Sequence, residues 1–400
     1  MSSEVLAVHA EKKMSQKERV TVFVLVDALG WKYIEGRSFL NDVLSYRQPV
    51  STVLGFSSGA IPAMLTGVPP AVNGHWNLFY YDPQHSPFRW LRHLCFLPGS
   101  ILDNRVSRKL MKEMGRRLLG LGPLFECCVA PQLLPYFNFV ERKNIFDRGG
   151  ITGARSIFDL MATESIPFRV YTYRQFTDAE IFRRAEADIR GGVASFYFVY
   201  LSEMDSFLHL NCSKPEEIEQ RLRWYEARLR KLFEAARQSD SNAVFTILSD
   251  HGMTPVNRHY DLLQQVEQLN FSMPDDYLAV YDSTMARYWF FDERARGEIT
   301  DLLQGLQCGH VLSDAELRRF GVFFPDRRYG EVVFLLDAGW LFSKSDFNGS
   351  GWKPSGMHGY HPSDPYSDAV YLSNRKPAVS PQSVQDVYAC MIEGIRRGES

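Results

Sequence analysis

Two unbroken apolar and β-branched runs, Val20–Val26 and AVFTILS, each lead straight into an aspartate, Asp27 and Asp250, and this feature constrains the chain most. Strands this apolar along their whole length are buried on both faces, as in a parallel sheet covered by helices. A third such run, SFYFVYL, ends at Leu201. Between it and the Asp250 strand lies KPEEIEQRLRWYEARLRKLFEAARQ, from Lys214 to Gln238, with proline near its start and glutamate in its first turn, as at a helix N-terminus. Strand, helix and strand in this order predict a doubly wound α/β fold. Acidic residues at the strand ends then gather along one edge of the sheet, where such folds do their chemistry.

Residues 1–19 read as a loose tail and residues 20–400 as one large domain. Pro49–Leu54 is expected to form a strand, followed by GFSSGAIPAMLTG, a turn that opens a helix and places Ser57 and Ser58 at the junction. Helical periodicity recurs over Ser156–Ala162 and Asp178–Ile189. Two regions depart from the alternation. Residues 83–150 mix aromatic, basic and proline-rich pieces and read as an inserted cap. Residues 274–328 read as a small α+β insertion, with strands at Leu278–Tyr281 and Ala286–Phe291 and a helix over Glu293–Leu306.

Composition narrows the function. With 45 Lys and Arg against 47 Asp and Glu, the formal charge of −2 gives no basic footprint for a nucleic-acid polymer. No apolar run reaches the roughly 18 residues of a membrane span, and the charged N-terminus has no signal-peptide core, so a cytoplasmic protein is expected. Cys95, Cys127, Cys128, Cys212, Cys308 and Cys390 are scattered without CxxC spacing, which argues against a disulfide framework and a thiolate zinc site. The basic run Arg105, Arg108, Lys109, Lys112, Arg116 and Arg117 reads first as a solvated helix face. Weak association of residues 105–121 with an anionic surface is the alternative, because Leu118, Leu119 and Leu121 lie beside it.

The chemistry lies in a combination of residues. Asp205 and His209 in EMDSFLHL are four apart, so one helical face brings both side chains to a common metal ion. Asp250 and His251 end a buried strand in LSDHGM, and His358 lies in the glycine-rich GMHGYHP. Carboxylate and imidazole donors without thiolates suit zinc or another first-row divalent ion, and two such ions form a clamp for in-line phosphoryl displacement. Ser57 or Ser58 supplies the nucleophile at a helix N-terminus, whose N–H groups favour a phosphate.

In VLVDALGW, GFSSGAIPAMLTG, NGHWNLFYYDP, the Asp205–His209 spacing, SDHGM and MHGY, the chain resembles the alkaline phosphatase superfamily, in its type I phosphodiesterase/nucleotide pyrophosphatase branch. The resemblance runs from Asp27 to about Tyr360. It implies an alkaline-phosphatase-like central sheet and two divalent ions, zinc before manganese. Counting back nine residues from Thr66 of the Thr-Gly pair selects Ser57 over Ser58. Asp27, Ser57, Asp250 and His251 would hold the ion that activates the nucleophile. Asp205, His209 and His358 would hold the ion that stabilises the leaving oxygen. The family's phosphate-binding asparagine falls by strict count on Leu78, and the neighbouring Asn77 is taken in its place.

The implied activity is hydrolysis of a phosphodiester or pyrophosphate in a small phosphorylated substrate, nucleotide-like or otherwise, through a covalent phospho-serine. Where nucleotide pyrophosphatases carry Phe-Pro-Asn-His after the nucleophile, this chain has Ser58, Gly59, Ala60 and Ile61. The loop lacks the proline and arginine of the sulfatase motif, which sets that branch aside. No Arg or Lys stands near Ser57 in sequence to hold a third phosphate oxygen, which favours a diester over a monoester. A phosphomonoesterase and a transferase to an alcohol acceptor are the alternative enzymatic readings, and a metal-binding scaffold without turnover is the non-enzymatic one.

Overall fold

The computed structural model describes residues 19–94, 104–118, 129–174, 176–346 and 352–396. Its centre is a six-stranded sheet in the order Tyr46–Val50, Ala369–Ser373, Val244–Leu248, Thr21–Val26, Phe196–Leu201 and Phe168–Tyr171. The last four are parallel, and Ala369–Ser373 runs against both of its neighbours. Alternation along the central strand explains the layers. Val22, Val24 and Val26 pack on one side with Ile181 and Ala185 of the Asp178–Arg190 helix and Leu222 and Leu229 of the Pro215–Ser239 helix. Phe23 and Leu25 face the other side, toward Ala60 and Met64 of the Ser57–Thr66 helix and Met391 of the Val387–Arg396 helix. Every residue from Thr21 to Val26 is therefore buried, as the unbroken apolar run requires.

The strand expected at Pro49–Leu54 lies earlier, at Tyr46–Val50. It is an edge strand, paired only with Ala369–Ser373. Pro49, which has no N–H to give, is tolerated in such a position. Val53 and Leu54 are buried beyond the strand and lead into the nucleophile turn.

A second, four-stranded sheet pairs Tyr277–Asp282 with Met285–Phe290, then Val332–Leu336, then Gly309–Val311. It draws Val332–Leu336 from beyond residue 328, a long-range pairing that no local pattern announces. One face packs on Ala295, Ile299 and Leu303 of the Glu293–Gly305 helix. The other face, through Leu278, Val280 and Trp289, packs on Phe79, Phe88, Phe137 and Met111. Segments within residues 83–150 thus cover the small sheet, while Ile145 and Phe146 join the core of the central one. The basic run forms the Arg105–Leu118 helix, with Val106 and Leu110 exposed and Met111 buried. Cys212, Cys308 and Cys390 are buried and unbridged, and Cys95, Cys127 and Cys128 lie outside the described residues. Among the described residues, no helix is long and apolar enough to cross a membrane.

Asp346, beside the small sheet, gives a pH-dependent stability test. Its Oδ2 accepts a hydrogen bond from the Tyr281 N–H at 2.8 Å, yet burial, with the nearby Asp282 charge, pushes its carboxyl up to about 6. An unfolded aspartate titrates near 3.9, so the native state holds the proton more tightly. Ionising it therefore costs stability as pH rises from about 4 to about 6, and the loss persists above that window. Asp346→Asn keeps the acceptor and removes the charge. Denaturant titration should find the variant more stable than wild type by about 2 kcal/mol near neutral pH and indistinguishable near pH 4.

Candidate active site

The parallel strands end at one edge of the central sheet, and the residues that follow them converge there. Asp27 comes directly after Thr21–Val26, Asp250 and His251 after Val244–Leu248, and Asp205 and His209 from the Glu203–Asn211 helix after Phe196–Leu201. Local backbone geometry fixes two of these positions. Ala28, just after Asp27, has φ of 60°, a left-handed conformation of the kind that functional turns impose on non-glycine residues. A Cβ on Gly252, just after His251, would lie 2.1 Å from the Tyr366 carbonyl oxygen, so only glycine lets this turn pass the loop beneath it.

Two groups of donors result, Asp27 with Asp250 and His251, and Asp205 with His209 and His358. In the first, His251 Nε2 lies 3.6 Å from Asp27 Oδ1 and 3.3 Å from Asp250 Oδ2. In the second, Asp205 Oδ1 lies 3.3 Å from His209 Nε2 and 3.5 Å from His358 Nε2. The groups adjoin, because the His251 and His358 rings stack with centroids 3.8 Å apart. His209 Nδ1 is 2.9 Å from the Gly356 carbonyl and His251 Nδ1 is 2.8 Å from that of Gly252, contacts that orient both rings and leave Nε2 for a ligand.

These residues fit a pair of cations. Asp27 Oδ1, Asp250 Oδ2 and Asp205 Oδ1 are buried without a hydrogen-bond partner, although buried carboxylate oxygens are normally satisfied. Burial, then the charges of Asp250 and Asp205, push the Asp27 carboxyl well above its ordinary range. Asp205 goes the other way: burial opposes ionisation, but His209, His358 and His251 hold its carboxyl well below the usual range. Three aspartates and three histidines with no thiolate form an oxygen-and-nitrogen donor set suited to zinc or manganese.

Geometry separates the two serines. Ser57 Oγ is 2.9 Å from His251 Nε2, within the first donor group, whereas Ser58 Oγ donates to the Trp76 carbonyl at 2.8 Å. Ser57 opens the Ser57–Thr66 helix, as the turn chemistry of GFSSGAIPAMLTG implies. Asn77 is fully buried, with Nδ2 donating to Met285 Sδ at 3.6 Å and Oδ1 unpartnered, while Leu78 lines the cavity above Ser57. His361 bonds Ser363 instead, and His75 is buried apart from both groups. Trp76 is buried and donates to the Leu54 carbonyl at 2.6 Å, a packing role that supports the nucleophile turn.

A cavity of about 220 Å³ opens over Ser57, Asp27, Asp205, His209 and His358. Its apolar walls include Phe56, Ile61, Leu78, Ile145, Phe146 and Tyr173, and Arg174 also lines it. Sequence reasoning missed Tyr200, whose hydroxyl donates to Asp27 Oδ2 at 2.5 Å. The pairing of SFYFVYL beside Val20–Val26 sets Tyr200 opposite Leu25, two residues before Asp27, and that neighbourhood is not written in the sequence.

The fold and site together define an α/β hydrolytic enzyme whose carboxylate and imidazole donors line the carboxyl edge of a mostly parallel sheet. The chain belongs to the type I phosphodiesterase / nucleotide pyrophosphatase family, whose model matches residues 21–361. Among solved structures, murine ectonucleotide pyrophosphatase / phosphodiesterase 5 superposes with a TM-score of 0.66 at 15% identity, over 95% of each chain. An inactive variant of that murine protein in complex with AMP gives 0.65 at 16% identity, again over 95% of each chain. Phosphonoacetate hydrolase from Sinorhizobium meliloti 1021, in complex with phosphonoformate, gives 0.62 at 13% identity, over 94% of this chain and 96% of that one. These likenesses describe a shared fold. Among curated proteins, none matches this chain.

Proposed function

We propose that this enzyme cleaves phosphodiester or pyrophosphate bonds of a small, nucleotide-like substrate through a covalent intermediate on Ser57. The observation that carries the reading is the 2.9 Å approach of Ser57 Oγ to His251 Nε2 inside the Asp27, Asp250 and His251 group. Two divalent cations, zinc in preference to manganese, would lower the pKa of the serine alcohol and offset the charge on the attacking and departing oxygens. Asp27, Asp250 and His251 would hold one, and Asp205, His209 and His358 the other.

Ser57 Oγ attacks phosphorus in line and loses its proton to solvent, while the bond to the leaving oxygen breaks and that oxygen takes the electron pair. Water then attacks the same phosphorus, releasing the phosphoryl product and restoring the serine with net retention. Tyr200 holds Asp27 by its hydrogen bond. The apolar wall of Phe146, Tyr173 and Leu78 receives the organic part of the substrate and limits access of bulk water. The AMP complex of the murine structure supports a nucleotide as that part.

Turnover of p-nitrophenyl thymidine monophosphate, bis-p-nitrophenyl phosphate and p-nitrophenyl phosphate by the metal-loaded enzyme tests the reading. Both diesters should be cleaved in preference to the monoester, and EDTA should stop the reaction. Cleavage of the monoester alone would make the enzyme a phosphomonoesterase. A new ester formed with an added alcohol, in place of hydrolysis, would make it a transferase.

A further inference from the structure

We propose that the outer face of the Arg105–Leu118 helix, together with Trp90, docks the enzyme on an anionic lipid bilayer. Charge points to this partner. Residues 83–130 hold eight Lys and Arg against three Asp and Glu, in a chain whose formal charge is −2. The Arg105–Leu118 helix holds six of those eight cations, with Glu113 as its one acid. A basic segment on an otherwise acidic molecule is drawn to anionic headgroups, and each cation near such a surface adds to the binding.

Apolar exposure separates this surface from an ordinary solvated basic face. Val106 is 77% exposed and Leu110 68%, and at four residues apart they stand on consecutive turns of one helix face. Lys109 is exposed next to Leu110. Arg117, three turns beyond Val106, is exposed on the same face and pairs with Glu113 along the helix. The opposite side is the one the fold uses. Met111 and Gly115 are buried there, Met111 with Leu278, Val280 and Trp289 of the small sheet. Arg108, on that inner side, is close enough to Asp346 to favour its charged form. Val106 and Leu110 thus take no part in the core, and the boundary between headgroups and acyl chains would bury them while leaving the cations at the lipid phosphates.

Trp90 is anchored through the same cluster. The Arg89–Leu94 turn buries Leu91 beside Met111 and leaves Trp90 42% exposed, with Arg89 and Arg92 exposed near it. A half-wet indole flanked by arginines suits the headgroup level of a membrane. Leu78 connects the patch to the catalytic cavity, since it packs against this cluster and also lines the cavity. The docked enzyme would therefore carry its active site one packed cluster away from the lipid-facing helix. Docking itself does not depend on the reaction at Ser57.

Flotation with vesicles of phosphatidylcholine alone, and of phosphatidylcholine and phosphatidylglycerol in equal parts, tests the assignment. Wild type should partition onto the mixed vesicles at least about 100-fold more strongly than onto phosphatidylcholine. Val106→Gln combined with Leu110→Gln keeps helix propensity and every charge, and should weaken that partition at least about tenfold. Trp90→Ala, on a separate segment, should weaken it as well. Both variants should unfold at the wild-type temperature, because the altered side chains are exposed.

Wild type that stays off the mixed vesicles would overturn the proposal. So would equal partition of wild type and the Val106, Leu110 double variant, because adsorption by charge alone needs no apolar face. Binding to heparin without binding to the vesicles would assign the cations to a soluble polyanion and overturn it too.

Discussion

Ser57→Ala is expected to lower kcat for p-nitrophenyl thymidine monophosphate at least about 10³-fold without changing the fold or the metal content. The loss should be large because Ser57 is the serine of the cavity whose Oγ approaches the first donor group, 2.9 Å from His251 Nε2. Ser58, the adjacent alcohol, donates to the Trp76 carbonyl and belongs to the packing of the turn. The fold should survive because Ser57 is half-buried at the start of its helix and bonds only His251, which keeps its contacts with Asp27 and Asp250. Ser58→Ala is the comparison. It removes a buried hydrogen bond worth about 1 kcal/mol and should lower thermal stability while retaining the chemical step. A variant order in which Ser58→Ala is dead and Ser57→Ala active would transfer the nucleophile to Ser58.

The second large effect concerns the cations. Asp250→Asn and Asp205→Asn preserve shape and remove one ligand charge from each donor group. Each variant is expected to bind one ion where wild type is expected to bind two, and each should lose at least about 10³-fold in kcat. The electrostatics explain why. Without a cation, Asp27, Asp250 and Asp205 crowd one buried space, and Asp27 is pushed well above its ordinary pKa by burial and by the other two. Three carboxylates this close together are the reason cations are proposed here. Elemental analysis of dialysed protein gives the stoichiometry. His361→Ala serves as control, since His361 pairs with Ser363 and belongs to neither group. Two ions retained in Asp250→Asn and in Asp205→Asn would dismantle the two-group assignment.

What the sequence could show followed the range of each interaction. The central strands were legible because burial on both faces leaves an unbroken apolar run, and Asp27 and Asp250 at their ends marked the functional edge. The Asp205–His209 pair was legible because four residues make one helical turn. Tyr46–Val50 was displaced in the reading because an edge strand has one partner and mixed exposure, so Pro49 and the apolar Val53 and Leu54 pointed further along. Val332–Leu336 escaped because its place in the small sheet depends on pairing with Met285–Leu335 and Gly309–Leu336 registers, not on its own composition. Tyr200 and Arg174 escaped for the same reason: each reaches the site from a strand beside the one carrying Asp27, or one further out, and sequence distance says nothing of strand order. No Arg or Lys stands near Ser57 along the chain, as read, and the cavity over Ser57 is lined by one arginine from elsewhere, Arg174, which follows a strand two places from the one carrying Asp27.

The most direct test of the central claim is a rapid acid quench of metal-loaded enzyme during turnover of p-nitrophenyl thymidine monophosphate, followed by peptide mass analysis. A thymidylyl adduct on the peptide carrying Ser57, formed at the rate of the nitrophenolate burst and absent in Ser57→Ala, is the expected result. A burst of nitrophenolate with no adduct on the protein would mean that water attacks the substrate directly, and would contradict it.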